Sequence, residues 1–218
     1  MPQRNSAMSQ EETESADQAP LRALIIVDVQ NDFCEGGALG ITGGEAVATA
    51  IATVVRERAD SYSAVLATQD WHIDPGPHFS PTPDFINSWP EHCLAAQPGA
   101  ALHPAMDEVA GLIGQHFRKG HFAAAYSGFE GRLAAADAHA ADESGPLLGD
   151  WLRDANVTAV DIVGLATDYC VRATALDAIA QGFDTTVISQ LTAAVHQENA
   201  ASVLQELRDA RVTVLSLG

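Results

Sequence analysis

The sequence predicts an α/β protein, a single-domain three-layer α/β/α unit built on a six-stranded, mainly parallel sheet. Six short runs rich in Val, Ile and Leu recur near residues 23–29, 63–69, 112–117, 159–165, 184–189 and 211–216. Between most of them lie alanine-rich segments with helical spacing, such as Glu45 to Ala59, Tyr169 to Gln181 and Asn199 to Ala210. Continuous apolar strands alternating with helices indicate a parallel sheet covered on both faces and joined by right-handed crossovers. With 218 residues, 47% of them hydrophobic, the chain can bury one full core. One domain is expected over 21–218, preceded by a solvated tail, 1–20, rich in Ser, Gln and Glu.

Taken in order, four of the six runs lead into residues with chemical potential. The first ends at Asp28, the second at Asp70 and His72, the third at Lys119, and the fourth is followed by Cys170. Parallel sheets bind ligands at the carboxyl ends of their strands, which is where these residues fall. Two stretches break the alternation. Residues 71–105 are dense in Trp, His and Pro and read as a site wall, because long loops in compact domains are usually functional or disordered. Residues 120–148 carry Tyr126-Ser127-Gly128-Phe129-Glu130-Gly131 and then a low-complexity segment, 134–145, expected to be an exposed excursion.

Composition excludes several classes. A formal net charge of −18, from 11 basic and 29 acidic residues, opposes binding to phosphate backbones and anionic membranes, which depends on clustered Lys and Arg. No apolar run is long enough to cross a bilayer, and Glu11, Glu12, Glu14 and Asp17 replace the basic and apolar regions of an export signal. Three cysteines, Cys34, Cys93 and Cys170, with no CxxC spacing, leave at least one thiol free and suit a reducing cytoplasm.

Cys170 stands where a strand turns into a helix. Such a thiol meets the positive end of a helix dipole, which lowers its pKa, and first-turn N–H groups that can hold an oxyanion. Asp28 either caps its turn or, facing the thiol, accepts its proton and returns it to a leaving amine. Lys119 is a solvated strand-end lysine or, between the two, an ammonium that favours both anions. Asp70, His72 and His78 stand as D-x-H-x5-H, with His92 following in Trp89-Pro90-Glu91-His92-Cys93. One carboxylate and three imidazoles suit a divalent ion such as zinc, iron or manganese. The other reading is four surface residues of a polar loop. Cys34 and Cys93 are expected to be small buried residues. Phe33 and Trp89 are core residues or the walls of a slot for a flat ring.

Five separated motifs now stand in order: ALIIVDVQNDFCEGG (23–37), TQDWHIDPGPHFS (68–80), SWPEHC (88–93), RKGHFAAAYSGFEG (118–131) and VGLATDYCVRATALDA (163–178). Together they resemble the nicotinamidase/pyrazinamidase family of isochorismatase-like cysteine hydrolases, from about Leu21 to Gly218.

The resemblance implies roles position by position. Asp28 becomes the base, Lys119 its partner and Cys170 the nucleophile. Asp70, His72, His78 and His92 become ligands of one divalent metal ion. Backbone N–H groups of Ala166 and Cys170 become the oxyanion hole, and a cis peptide is implied at Leu165-Ala166. The implied substrates are the small molecules nicotinamide and pyrazinamide, attacked at the carboxamide to give an acyl-thioester and ammonia in NAD salvage. The implied metal orients the substrate ring, which a small rigid molecule with few handles needs. Tyr169 and His121 are neighbours that adjust substrate fit. The chain would be a monomer or a small homo-oligomer. Two alternatives stand beside this reading. An isochorismatase or N-carbamoyl amidohydrolase keeps the Asp, Lys and Cys and generally lacks the metal quartet; a non-catalytic binding module has no need of an activated thiol.

Overall fold

The computed structural model describes residues 20–134 and 144–216. Nearly all of the expected tail, 1–20, and most of the low-complexity excursion, 134–145, lie outside the described residues.

The elements run β1 (Arg22–Val27), α1 (Gly44–Arg58), β2 (Ala64–Asp70), β3 (Gln115–Lys119), β4 (Arg132–Leu133), α2 (Leu148–Asp154), β5 (Ala159–Leu165), α3 (Arg172–Ala180), β6 (Asp184–Ala193), α4 (Ala200–Asp209) and β7 (Thr213–Leu215). They form one sheet in the order β4-β3-β2-β1-β5-β6-β7. Every neighbouring pair is parallel except β3 and β4. The class is therefore the expected one, with seven strands in place of six. The additional strand is two residues long and pairs Phe117 with Leu133 and Arg118 with Arg132. So short a strand has no sequence period to detect. The third strand also starts later than expected, because Pro104–Leu112 coil into a 3-10 turn whose Met106 and Val109 are buried.

Alternation along β1 explains the layers. Leu24 and Ile26 pack with Val47, Ala48, Ile51 and Val55 of α1 and with Met106 and Val109. Ala23, Ile25 and Val27 point the other way, to Leu148 and Leu152 of α2, Ala175 and Ala178 of α3, and Leu207 of α4. Burying each large aliphatic side chain contributes about 1.5–3 kcal/mol, so a polar substitution on either face of β1 would be severe. Among the described residues no helix is long and apolar enough to cross a membrane.

This topology assembles the site. The chain steps from β1 outward through β2 to β3, then returns to the other side of β1 for β5. A crevice forms at such a reversal of strand order, at the carboxyl ends. Gly164 lets β5 approach β1 closely: its φ is +115°, and a Cβ there would lie 2.0 Å from the Val27 carbonyl oxygen. The Leu165–Ala166 peptide that follows is cis, as the resemblance implied.

Candidate active site

Asp28 leaves β1 in a left-handed conformation, φ +49°, which few non-glycine residues adopt. Its N–H donates to the Thr68 carbonyl at 3.2 Å, and the Thr68 hydroxyl donates to its Oδ1 at 2.6 Å. Both contacts come from β2, so the carboxylate is aimed by the neighbouring strand. Lys119 ends β3 only 1% exposed, contrary to the reading as a solvated strand-end lysine. Its Nζ lies 2.9 Å from Asp28 Oδ2, 2.5 Å from Asp70 Oδ1 and 3.6 Å from Cys170 Sγ, and it donates to the Ala125 carbonyl at 3.1 Å. An ammonium leaves water only where such partners replace its hydration shell.

Cys170 sits within Thr167–Val171, a wide π-helical turn in which the Val171 N–H reaches back to the Ala166 carbonyl at 3.0 Å. Helix α3 proper begins two residues after the thiol. The electrostatics correct one expectation. Burial pushes the Cys170 thiol well up, with Lys119 opposing and Asp28 and Asp70 adding to the rise, so desolvation outweighs the helix terminus. Burial also raises Asp28 against the pull of Lys119. Lys119 is held well above the ordinary lysine value, because its two carboxylates overcome the burial that would lower it. The thiol therefore rests protonated beside a carboxylate of increased basicity.

The three imidazoles are buried, contrary to the reading as surface histidines. Their ligand atoms lie within 4.8 Å of one another. Asp70 Oδ2 is 3.7 Å from His72 Nε2 and 3.9 Å from His92 Nε2. His72 Nδ1 is 2.6 Å from the Gly120 carbonyl and His92 Nδ1 is 2.8 Å from the Pro90 carbonyl. A carbonyl on one ring nitrogen makes it the donor and turns the lone pair of the other inward, as metal-bound histidines require. Gly120 permits this approach, since a Cβ there would lie 2.6 Å from the His72 ring. His72 Nε2 and His78 Nδ1 are buried polar atoms with no hydrogen-bond partner. Burial and the neighbouring imidazoles push His78 down to about 4, which keeps it in the neutral ligand form. Asp70 stays ionised, since Lys119 and the imidazoles outweigh its burial. This donor set fits one divalent cation.

Both clusters open on a cavity of about 340 Å³ whose lining includes Phe33, Trp89, Ala166, Cys170, Asp70, His78 and His92. Phe33 and Trp89 thus wall the cavity as well as belonging to the core. Cys34 and Cys93 are buried as expected. Of the two neighbours thought to adjust fit, Tyr169 lines the cavity, while His121 is buried outside that lining.

Several residues escaped the sequence reading. Tyr126 lines the cavity, stacks on Tyr169 with centroids 6.0 Å apart, and accepts from Trp89 Nε1 at 3.3 Å. Its place in the YSGFEG run was the available signal. Gln30, fully buried, donates to the Asp70 carbonyl at 2.8 Å and accepts the Asp70 N–H at 2.9 Å, fixing that backbone. Neither Gln30 nor Thr68 carries a spacing signal, because their partners lie on another strand.

A sequence model of the family described as the isochorismatase domain matches residues 22–217. The nicotinamidase/pyrazinamidase of Mycobacterium tuberculosis is 51% identical over 195 residues, covering 89% of this chain and 98% of that protein. The nicotinamidase of Escherichia coli is 34% identical over 218 residues, covering 91% of this chain and 96% of its own. Among solved structures, the pyrazinamidase of Pyrococcus horikoshii in complex with zinc superposes with a TM-score of 0.71 at 29% identity, over 91% of this chain and 100% of that one. PnC1 of L. infantum in complex with nicotinate gives 0.73 at 31%, over 90% and 93%. By the extent of these matches, the chain belongs to the isochorismatase-domain family, in its nicotinamidase/pyrazinamidase group.

Proposed function

We propose that the protein is a metal-containing cysteine amidohydrolase that converts nicotinamide to nicotinate and ammonia, and pyrazinamide to pyrazinoate and ammonia. The observation that carries this reading is the convergence of Cys170, Lys119 and Asp28 with a buried Asp and three His on one aromatic-walled cavity. Relatives named for this activity, across nearly the full chain, support it.

Sγ of Cys170 attacks the carboxamide carbon while its proton passes to the Asp28 carboxylate. The raised basicity of Asp28 suits it to this transfer, and Lys119 steadies the charge that remains in the cluster. The developing oxyanion is held by the backbone N–H groups of Ala166 and Cys170. As the C–N bond breaks, the proton on Asp28 goes to nitrogen and ammonia leaves, giving an acyl-thioester. Water then adds to the thioester carbon, Asp28 takes its proton, and the C–S bond breaks as Sγ regains a proton. Phe33 and Trp89 hold the flat ring between them. Asp70, His72, His78 and His92 would hold one divalent ion, whose Lewis acidity would supply an anchor for the ring nitrogen. Zinc, iron and manganese all accept such donors.

This assigns the protein to NAD salvage in the cytoplasm, as a monomer or small homo-oligomer acting on small molecules, without nucleic acid or membrane partners. The metal quartet disfavours an isochorismatase or N-carbamoyl amidohydrolase, and the intact Asp28, Lys119 and Cys170 disfavour a binding module. Ammonia release from nicotinamide is the test, measured before chelation, after it, and after zinc, iron or manganese is restored. Release that follows the metal supports the reading. No release from folded, metal-loaded protein would move the assignment to another hydrolase of the family.

A further inference from the structure

Asp32 lies on the short 3-10 turn Asn31–Phe33, outside the groups that touch the substrate in the mechanism above. Its carboxylate makes one long-range and one local contact. Oδ2 accepts the backbone N–H of Cys93 at 2.7 Å, and Oδ1 accepts that of Ala38 at 3.3 Å. Cys93 directly follows His92, is fully buried, and holds a left-handed backbone, φ +46°, that a non-glycine residue adopts only under constraint. The other side of Cys93 is bound to a second imidazole residue: its carbonyl accepts the His72 N–H at 2.9 Å, and the His72 carbonyl in turn accepts the Ala95 N–H at 2.8 Å. The backbone joining His92 to His72 is therefore clamped between His72 and the Asp32 carboxylate. Phe33, next to Asp32, also packs its ring on His92 with centroids 5.6 Å apart.

The molecule leaves room for this carboxylate at one further place. A Cβ at Gly99 would lie 2.0 Å from Asp32 Oδ2, so any larger residue there would displace the group. Ala38, held by the other oxygen, lines the cavity.

We infer that Asp32 is a positioning residue for the metal centre: by holding the Cys93 N–H it sets where His92 presents its ring. The inference rests on the metal reading proposed above and adds a residue to it. An outer residue that orients a ligand commonly contributes 10- to 100-fold in metal affinity, here through a backbone N–H next to the ligand.

The test is zinc affinity, measured by competition with a chromophoric chelator on the full chain, with thermal melts of the chelator-stripped proteins. Asp32→Ala is expected to bind zinc about 10- to 100-fold more weakly than the unmodified chain. Gly99→Ala should weaken it in the same direction, and Asp32→Asn, which keeps a carbonyl oxygen for the Cys93 N–H, should lose less than Asp32→Ala. Leu152→Ala, in the core on the far face of the sheet, shows what loss of stability alone does. Equal affinity in Asp32→Ala and the unmodified chain would overturn the inference, as would an equal loss in Leu152→Ala at a matched melting temperature. If the unmodified chain itself binds no zinc, iron or manganese, the metal reading fails first and the inference with it.

Discussion

Lys119 and Asp70 share a 2.5 Å contact in which the ammonium takes one carboxylate oxygen while the other faces His72 and His92. One aspartate is thus common to the proposed metal quartet and to the charge cluster around the proposed nucleophile. Lys119 is also the only lysine among the 218 residues, the other ten basic residues being arginines. Its ammonium is a compact point charge on a flexible stem, and its N–H donors reach Asp28, Asp70 and the Ala125 carbonyl, a spread of directions that the planar fork of a guanidinium does not match.

Replacing that lysine should damage stability and turnover together. Lys119→Met leaves two buried carboxylates without their cation, and breaking a buried pair this way costs about 3–5 kcal/mol. Urea unfolding should register that loss, and ammonia release should fall to background. Amine labelling gives a second check: an N-hydroxysuccinimide ester should leave Lys119 unmodified in the native chain and reach it after denaturation. Rapid labelling of Lys119 in native protein would contradict its burial and its raised pKa.

Cys170→Ala should abolish turnover while leaving the fold and metal content in place. The polar partners of the thiol are the side chains of Asp28 and Lys119, the latter at 3.6 Å, so its removal takes contacts from the charge cluster. Ammonia release, circular dichroism and metal analysis on the same preparation separate these effects. Full activity in the variant would remove the nucleophile from Cys170.

The residues readable from sequence are those delivered by strand ends. Asp28, Asp70, Lys119 and Cys170 each follow an apolar run, and parallel strands carry their last residues to one edge. What the runs do not reveal is depth. Lys119 sits between Arg118 and Gly120, and the carboxylates that allow its burial come from two other strands, so its solvation could not be read locally. The thiol pKa failed for the same reason: the helix terminus is visible in sequence, while the desolvation and the two aspartates that outweigh it are not. The seven-residue α2 and the two-residue β4 are too short to show a period. Tyr126 meets Trp89 across 37 positions, a contact no spacing rule would find. The sequence left Trp89 open between core residue and slot wall, and His92 open between metal ligand and surface residue, because the groups that surround each of them arrive from distant segments.

The three thiols should differ sharply in reactivity. Burial, with Glu35 and Glu45 nearby, pushes Cys34 up to about 12, and burial with Asp70 and Asp32 raises Cys93 well above the ordinary value. At about pH 8 a thiol of that pKa is ionised to roughly one part in ten thousand. Cys170 is raised as well, so access and not ionisation sets it apart: of the three thiols it is the one in the cavity lining, where a reagent can reach it. A disulfide reagent should therefore titrate one thiol in the native protein and three in guanidinium, and the native signal should vanish in Cys170→Ala. Persistence of a fast native thiol in that variant would show that Cys34 or Cys93 is not protected.

Glu35 should give α1 a pH-dependent anchor. The helix starts at Gly44 with Gly43 as a cap that has no side chain to offer. Glu35 supplies the missing acceptor from upstream, taking the Gly43 N–H at 2.6 Å and the Glu45 N–H at 2.7 Å. Those two N–H groups hold its carboxyl below the usual glutamate value of 4.5. Because the folded pKa is depressed, its contribution is complete above the unfolded value and is lost as pH falls through the folded one. Loss of a helix cap costs about 0.5–2 kcal/mol, and because Glu35 is exposed and screened by water, Glu35→Ala should lower the free energy of unfolding near pH 7 by an amount at the low end of that range. In acid the carboxyl is protonated in both states, and the stability curves of variant and parent should converge. Since the loop this carboxylate closes includes Leu39, Gly40, Ile41 and Thr42 of the cavity lining, the variant should also raise KM more than it lowers kcat. A stability gap that stays constant from neutral pH to acid would mean that the charge of Glu35 contributes nothing and that the loss comes from packing alone.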